Sequence, residues 1–122
     1  MPLRSKTILV IEDDPDLREA VASSIADLGV AVVQACDGVD ALERLAEAKR
    51  PPDAILLDMR MPRLDGPGFL AALRGEAHLA HIPVITMTGG CDPAPEPPIA
   101  SRLHKPFDVE ELARILVSLC ER

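Results

Sequence analysis

Short runs of mostly apolar residues recur along the chain, and each run ends at a polar or turn-forming residue. They cover residues 7–11, 30–33, 55–57 and 83–87. A short continuous apolar run with polar ends is typical of a strand that is buried on both faces of a parallel sheet. The pattern therefore predicts at least four strands in a sheet that is covered on both sides.

The segments between these runs follow the period of an amphipathic helix. Asp14 and Pro15 are typical of an N-cap and a first helical position, and Gly29 is typical of a helix end. A second helix is predicted from about Gly38, and a third after the turn at Asp65-Gly66. The predicted inner faces consist of Leu17, Val21, Ile25 and Leu28; Ala41, Leu42 and Leu45; and Phe69, Leu70 and Leu73.

Strands that alternate with helices favour an α/β fold with a parallel sheet between helical layers. Right-handed crossovers then bring the carboxyl ends of all strands to one edge of the sheet. Residues 101–104 predict a short fifth strand. A last helix follows, with Asp108 and Glu111 as an acidic variant of the capping box and an apolar face of Leu112, Ile115, Leu116 and Leu119.

The segment before the fifth strand breaks the helical pattern. Four prolines lie between residues 93 and 98, and each proline inside a helix costs about 3 kcal/mol or more. We therefore expect an irregular loop from about Cys91 to Ile99.

Composition limits the class of protein. A chain of 122 residues with 48% hydrophobic content is predicted to form one folded domain over residues 1–122. The net charge of −7 opposes binding to a nucleic-acid backbone. No apolar stretch approaches the ~18 residues of a membrane span. Three widely spaced cysteines favour reduced thiols and a cytoplasmic location.

Several polar side chains follow the predicted strands at the shared edge: Glu12 and Asp13, then Asp58, then Thr88. Carboxylates about 4 Å apart repel by roughly 4 kcal/mol at an effective dielectric near 20. Such a group is tolerated by protonation or by binding a cation, and oxygen ligands suit Mg²⁺. With the Thr88 hydroxyl and the Lys105 ammonium, the set predicts a phosphoryl-transfer site with a carboxylate nucleophile.

The chain resembles the receiver domain of two-component response regulators over nearly its whole length. The motifs are Ile-Glu-Asp-Asp-Pro at residue 11, Leu-Asp-Met-Arg-Met-Pro-Arg-Leu-Asp-Gly at 57, Pro-Val-Ile-Thr-Met-Thr-Gly at 83 and Lys-Pro-Phe at 105. The resemblance implies a flavodoxin-like, doubly wound, three-layer fold with a five-stranded parallel sheet in the order 2-1-3-4-5.

The resemblance also implies roles for individual residues. Asp58 would take a phosphoryl group from a sensor histidine kinase or a histidine phosphotransfer protein, and the domain would then signal to a downstream protein. The other implied site residues are Asp13 as a direct Mg²⁺ ligand, Glu12 as a ligand through water, the backbone carbonyl of Arg60, and Thr88 and Lys105 on the phosphoryl oxygens.

Two features depart from the family. Arg102 occupies the position of the family's switch aromatic, three residues before Lys105. The segment between Thr88 and Lys105 is short, so the fourth helix should be shortened or replaced by a proline-rich loop. The family's usual output switch, in which the threonine at position 88 acts together with the aromatic residue, is then not expected.

Two other functions compete with the phosphoacceptor domain. A Mg²⁺-dependent phosphohydrolase with an aspartyl-phosphate intermediate usually has a second acid two residues after the nucleophile, where this chain has Arg60. A pseudo-receiver that binds partners without phosphorylation would not need the complete set of site residues. The sequence fits both a free-standing domain and a part of a longer protein.

Overall fold

The chain forms a parallel sheet with helices on both faces. The computed structural model describes residues 5–59, 64–88, 99–104 and 108–120. The elements in these ranges are β1 (Thr7–Ile11), α1 (Pro15–Ala26), β2 (Ala31–Ala35), α2 (Gly38–Glu47), β3 (Ala54–Asp58), α3 (Gly66–Arg74), β4 (Val84–Thr88), β5 (Ile99–His104) and α4 (Val109–Cys120).

The strands pair in the order β2-β1-β3-β4-β5, and every pair is parallel. This confirms the predicted flavodoxin-like sheet and its strand order. The central strands β1 and β3 are aligned so that Ile11 lies opposite Leu57. Their carboxyl ends therefore finish level with each other at one edge.

Alternating side chains of the strands supply two separate cores. Ile8, Val10 and Leu56 pack on one face with buried residues of α1 and α4. Leu9 and Ile55 belong to the other face, with buried residues of α2 and α3. The three-layer arrangement follows from this alternation, because strands buried on both faces need a helical layer on each side. No described helix has the length and apolar character to span a bilayer.

Aspartates begin three of the helices. Asp14 Oδ1 accepts hydrogen bonds from the backbone N–H groups of Asp16 at 3.0 Å and Leu17 at 3.3 Å, which confirms its predicted N-cap role. Asp37 and Asp65 cap α2 and α3 in the same way. The predicted turn at Asp65-Gly66 is therefore the start of α3.

Two strands differ from the predicted boundaries by two residues at one end, and β3 and β4 differ by one residue at each end. Strand β2 ends two residues later than expected, at Ala35, because its pairing with β1 continues to Ile11. Strand β5 begins at Ile99, which the sequence analysis placed in the loop, because Ile99 pairs with Val84 of β4. The predicted shortening of the fourth helix concerns residues 89–98, which lie outside the described residues.

The first turn of α3 lies directly against the residue that follows β3. The Gly66 N–H donates to the Met59 carbonyl oxygen at 3.3 Å. A Cβ atom on Gly66 would come within 2.6 Å of the Met59 sulfur and 2.7 Å of the Met59 Cα. Only glycine therefore fits here without a shift of the backbone after Asp58.

We expect Gly66→Ala to destabilise the protein by about 1–3 kcal/mol, because an added methyl group would force this contact apart. Gly75→Ala is the matched control, since its Cβ would meet nothing closer than 3.4 Å and its backbone φ is −75°. Urea unfolding of both variants and the wild type measures the difference. Equal midpoints for the two variants would contradict the steric explanation.

Candidate functional site

Predicted site residues meet at the carboxyl edge of the sheet. Glu12 follows β1 directly, Asp58 is the last residue of β3, and Thr88 is the last residue of β4. Hydrogen bonds continue one residue past the strands, from Glu12 N–H to Ala35 O at 3.1 Å and from Met59 N–H to Met87 O at 3.3 Å. The edge is therefore held by the sheet itself.

Glu12, Asp13 and Asp58 form an acidic cluster. One carboxylate oxygen from each residue lies within 4.8 Å of the others. Glu12 is 1% exposed and Asp58 is 5% exposed, whereas Asp13 is exposed to solvent. At this separation two ionised carboxylates repel by about 3 kcal/mol at an effective dielectric near 20. The geometry therefore favours a bound cation.

The cluster also fits Mg²⁺ by its chemistry. All three side chains offer oxygen atoms, and Mg²⁺ prefers one or two carboxylates with its other positions left for water or phosphate. The exposed Asp13 leaves one side of the cluster open to solvent. The predicted contributions of the Arg60 carbonyl and of Lys105 lie outside the described residues.

The backbone of Glu12 is fixed by residues that the sequence analysis missed. Arg18 Nη1 donates to the Glu12 carbonyl oxygen at 3.0 Å, and Arg18 Nε donates to Gln34 Oε1 at 3.3 Å. The Asp14 N–H donates to Glu12 Oε2 at 3.2 Å, which holds one oxygen of the carboxylate. In the sequence, Arg18 is an ordinary polar position of an amphipathic helix, and only the fold brings it to the end of β1.

A second polar residue of β4 was also missed. Thr86 is 1% exposed, and no described residue hydrogen-bonds to its hydroxyl oxygen. It lies opposite the half-buried Arg102 of β5 and two residues before Thr88. Because side chains two apart share one face of a strand, β4 places two hydroxyls on the face that β5 extends with Arg102.

The only described free cysteine on this edge, Cys36, follows β2. Burial, a hydrogen bond with Asp40 and the negative charges of Asp37 and Asp40 together raise the pKa of the Cys36 thiol. The Cys36 N–H in turn donates to Asp40 Oδ2 at 2.9 Å, which lowers the pKa of that carboxyl. These contacts therefore favour the protonated form of the thiol, which is the weakly nucleophilic one.

Comparison with known proteins gives a consistent result at the level of sequence. Residues 8–117 match the response regulator receiver domain family. The response regulator MprA of Mycobacterium tuberculosis is 35% identical over 97% of this chain. The match covers 52% of MprA, so the chain spans about half the length of the curated relatives it matches.

Solved structures show the same fold. The chemotaxis protein CheY4 of Vibrio cholerae superimposes with a TM-score of 0.84 at 27% identity, covering 94% of this chain and 98% of CheY4. The receiver domain of the sensor histidine kinase PA1611 of Pseudomonas aeruginosa gives a TM-score of 0.83 at 28% identity, covering 97% of this chain and 99% of that domain. That structure holds a magnesium ion in its active site cleft.

Without metal, we expect Asp13→Asn to raise the free energy of unfolding, by up to about 1 kcal/mol because the exposed carboxylate is partly screened. The reason is that one of the three mutually repelling charges is removed. Glu43→Gln, on the exposed side of α2, changes the net charge equally and is the control. Thermal melts in a metal chelator measure both. A stability gain no larger than that of the control would contradict the repulsion.

Proposed function

The chain belongs to the response regulator receiver domain family, and we propose that it accepts a phosphoryl group on Asp58 from a sensor histidine kinase or a histidine phosphotransfer protein. The main support is the position of Asp58: a 5% exposed carboxylate at the end of a central strand, within 4.8 Å of two further carboxylates. Receiver domains are signalling domains and not classical enzymes.

In the proposed reaction, a carboxylate oxygen of Asp58 attacks the phosphorus of the phosphohistidine. The phosphorus–nitrogen bond breaks, the electron pair leaves with the imidazole, and an acyl phosphate forms on Asp58. Strand β3 keeps the attacking oxygen at the edge of the sheet. Asp58 pairs with Met87 of β4, and the Met59 N–H donates a hydrogen bond to the Met87 carbonyl oxygen. Positioning of this kind removes much of the entropic cost of the encounter.

The proposed metal is Mg²⁺, held by Asp13 and Asp58, by Glu12 through water, and by the Arg60 backbone carbonyl. A bound Mg²⁺ would offset the charge of the carboxylates and of the phosphoryl oxygens. The magnesium in the PA1611 receiver domain supports this assignment, as does the separation of the three carboxylates. Arg18 and Asp14 would keep Glu12 in place through the backbone and one carboxylate oxygen.

On the product side, we propose that the Thr88 hydroxyl donates to one phosphoryl oxygen and that Lys105 pairs with another. Thr88 is buried at the end of β4, the strand next to the one that ends at Asp58, and this position supports the proposed hydrogen bond. Lys105 follows β5, the next strand beyond. Both groups would respond to the phosphorylated state, because charge-assisted hydrogen bonds form only once the phosphoryl oxygens are present.

The proposed biological role is a single receiver unit, residues 1–122, that signals in the cytoplasm to a downstream protein through a changed surface. A protein partner is favoured over nucleic acid, because the net charge of the chain is −7. The exposed free thiol of Cys36 is consistent with a reducing compartment.

Millimolar Mg²⁺ should stabilise the wild-type protein, by about 2.7 kcal/mol when the free ion is a hundredfold above its dissociation constant. The reason is that the ion binds the folded cluster and relieves its repulsion. Asp13→Asn should lose this stabilisation, and Glu43→Gln should keep it. Melting temperatures across a Mg²⁺ titration give the result, and an unresponsive wild type would argue against the metal site.

Acetyl phosphate with Mg²⁺ should add one phosphate to the wild type, as measured by intact mass. Asp58→Asn should gain none, because the attacking oxygen is gone, while Asp27→Asn, an exposed aspartate after α1, should be modified normally. Lys105→Ala should still be modified but show a weaker structural response. Sustained turnover of acetyl phosphate would instead indicate a phosphohydrolase, and an unmodified wild type would indicate a pseudo-receiver.

A further inference from the structure

A cavity of about 760 Å³ opens at the amino edge of the sheet, opposite Asp58. Its walls come from the residues that lead into three neighbouring strands: 5–7 before and within β1, 50–53 before β3, and 81–83 before β4. Because the strands are parallel, these three entries converge in the same way as the two strand ends that carry the acidic cluster. The cavity shares no residue with the acidic cluster.

The fixed charges at this cavity favour an anion. Lys6 and Arg50 are cationic. Asp53 is the one acidic lining residue: its Oδ2 accepts the Thr7 N–H at 2.9 Å, and its Oδ1 lies 4.0 Å from Lys6 Nζ, so the surplus positive charge of the lining is that of Arg50. No described residue forms an ion pair with Arg50. A positive site of this kind stands out in a chain with a net charge of −7.

The remaining walls are stiff and apolar. Pro51, Pro52 and Pro83 line the cavity with Ile82, and proline has a fixed φ and no backbone N–H. A separate recess of about 40 Å³, lined mainly by residues of β1, β2 and α2, shares Thr7, Arg50 and Pro52 with the cavity. Arg50 therefore lines both the cavity and the recess, next to charged and apolar side chains.

The backbone at Ser5 adds a second local signal. Ser5 lines the cavity with a φ of +67°, in the left-handed region that serine rarely adopts. Backbone conformations of this type are concentrated at ligand sites and turns, where the surrounding structure holds them. The size of the cavity also lies in the usual range of small-molecule sites, roughly 300–1,000 Å³.

We propose that this cavity binds a small organic phosphate, with its phosphate group on Arg50 and Lys6 and an apolar ring against Pro51, Pro52 and Pro83. The planar guanidinium of Arg50 suits two parallel hydrogen bonds to phosphate oxygens. The three prolines offer apolar surface for the ring. This site is independent of phosphorylation on Asp58 and lies at the other edge of the sheet.

Three probes test the two halves of the site: adenosine 5′-monophosphate, adenosine, and inorganic pyrophosphate. Each is titrated into ¹⁵N-labelled protein in a metal chelator at low ionic strength, so that the acidic cluster repels the anions. The monophosphate should give saturable shifts at the amides of residues 5–7, 50, 53, 81 and 82. Adenosine and pyrophosphate should each bind about tenfold more weakly, since each lacks one group of contacts.

Variants then separate this site from general charge attraction. Arg50→Gln should weaken the monophosphate about tenfold, while Arg114→Gln, an exposed arginine on α4, should leave the affinity unchanged. Equal weakening in both variants would overturn the proposal. So would equal affinity for pyrophosphate, shifts confined to the carboxyl edge, or no saturable shifts in the wild type.

Discussion

The parallel alignment of β1 with β3 is the constraint on which the acidic edge depends. Ile11 lies opposite Leu57, so Glu12 and Asp58 emerge next to each other. Their repulsion of about 3 kcal/mol acts against this alignment, but each fully buried Leu or Ile side chain in the two strands contributes roughly 1.5–3 kcal/mol. A slip by one residue would turn every one of these side chains to the wrong face. The core therefore holds the carboxylates together.

The central strands and the closeness of Glu12, Asp13 and Asp58 could be predicted because their signals are local. The roles of the site residues stay predictions. Strands β1 and β3 are continuous apolar runs that end at acids, and Asp14-Pro15 is a local helix start. The boundaries of β2 and β5 were less accurate, because edge strands are paired on one side only and their limits depend on the neighbouring strand. The contact between Arg18 and Glu12 could not be predicted, since it requires the positions of α1 and β1 together.

Strands β4 and β5 carry polar side chains inside the sheet, whereas the central strands β1 and β3 are mostly apolar. Strand β5 carries Arg102 at the position where the resemblance to receiver domains implies an aromatic residue. Its partner across the sheet is Thr86, a buried residue with a hydroxyl group. The polar pair of Thr86 and Arg102 thus lies two residues before the end of β4 at Thr88. Strand β4 is the neighbour of β3, whose last residue, Asp58, would carry the phosphoryl group. In the proposed function, a response that reaches β5 from Asp58 would cross β4, where Thr86 pairs with Arg102.

The contact between Gly66 and Met59 makes one side of the site mechanically stiff. Met59 follows Asp58 directly, and the start of α3 rests on it with no space for even one added carbon atom. A second contact lies nearby: the Gly38 N–H at the start of α2 donates to the Leu64 carbonyl oxygen at 3.2 Å. Met59 and Leu64, the described residues on either side of positions 60–63, therefore each contact the start of a helix. If Asp58 accepts a phosphoryl group as proposed, the next residue, Met59, would have little room to move towards α3.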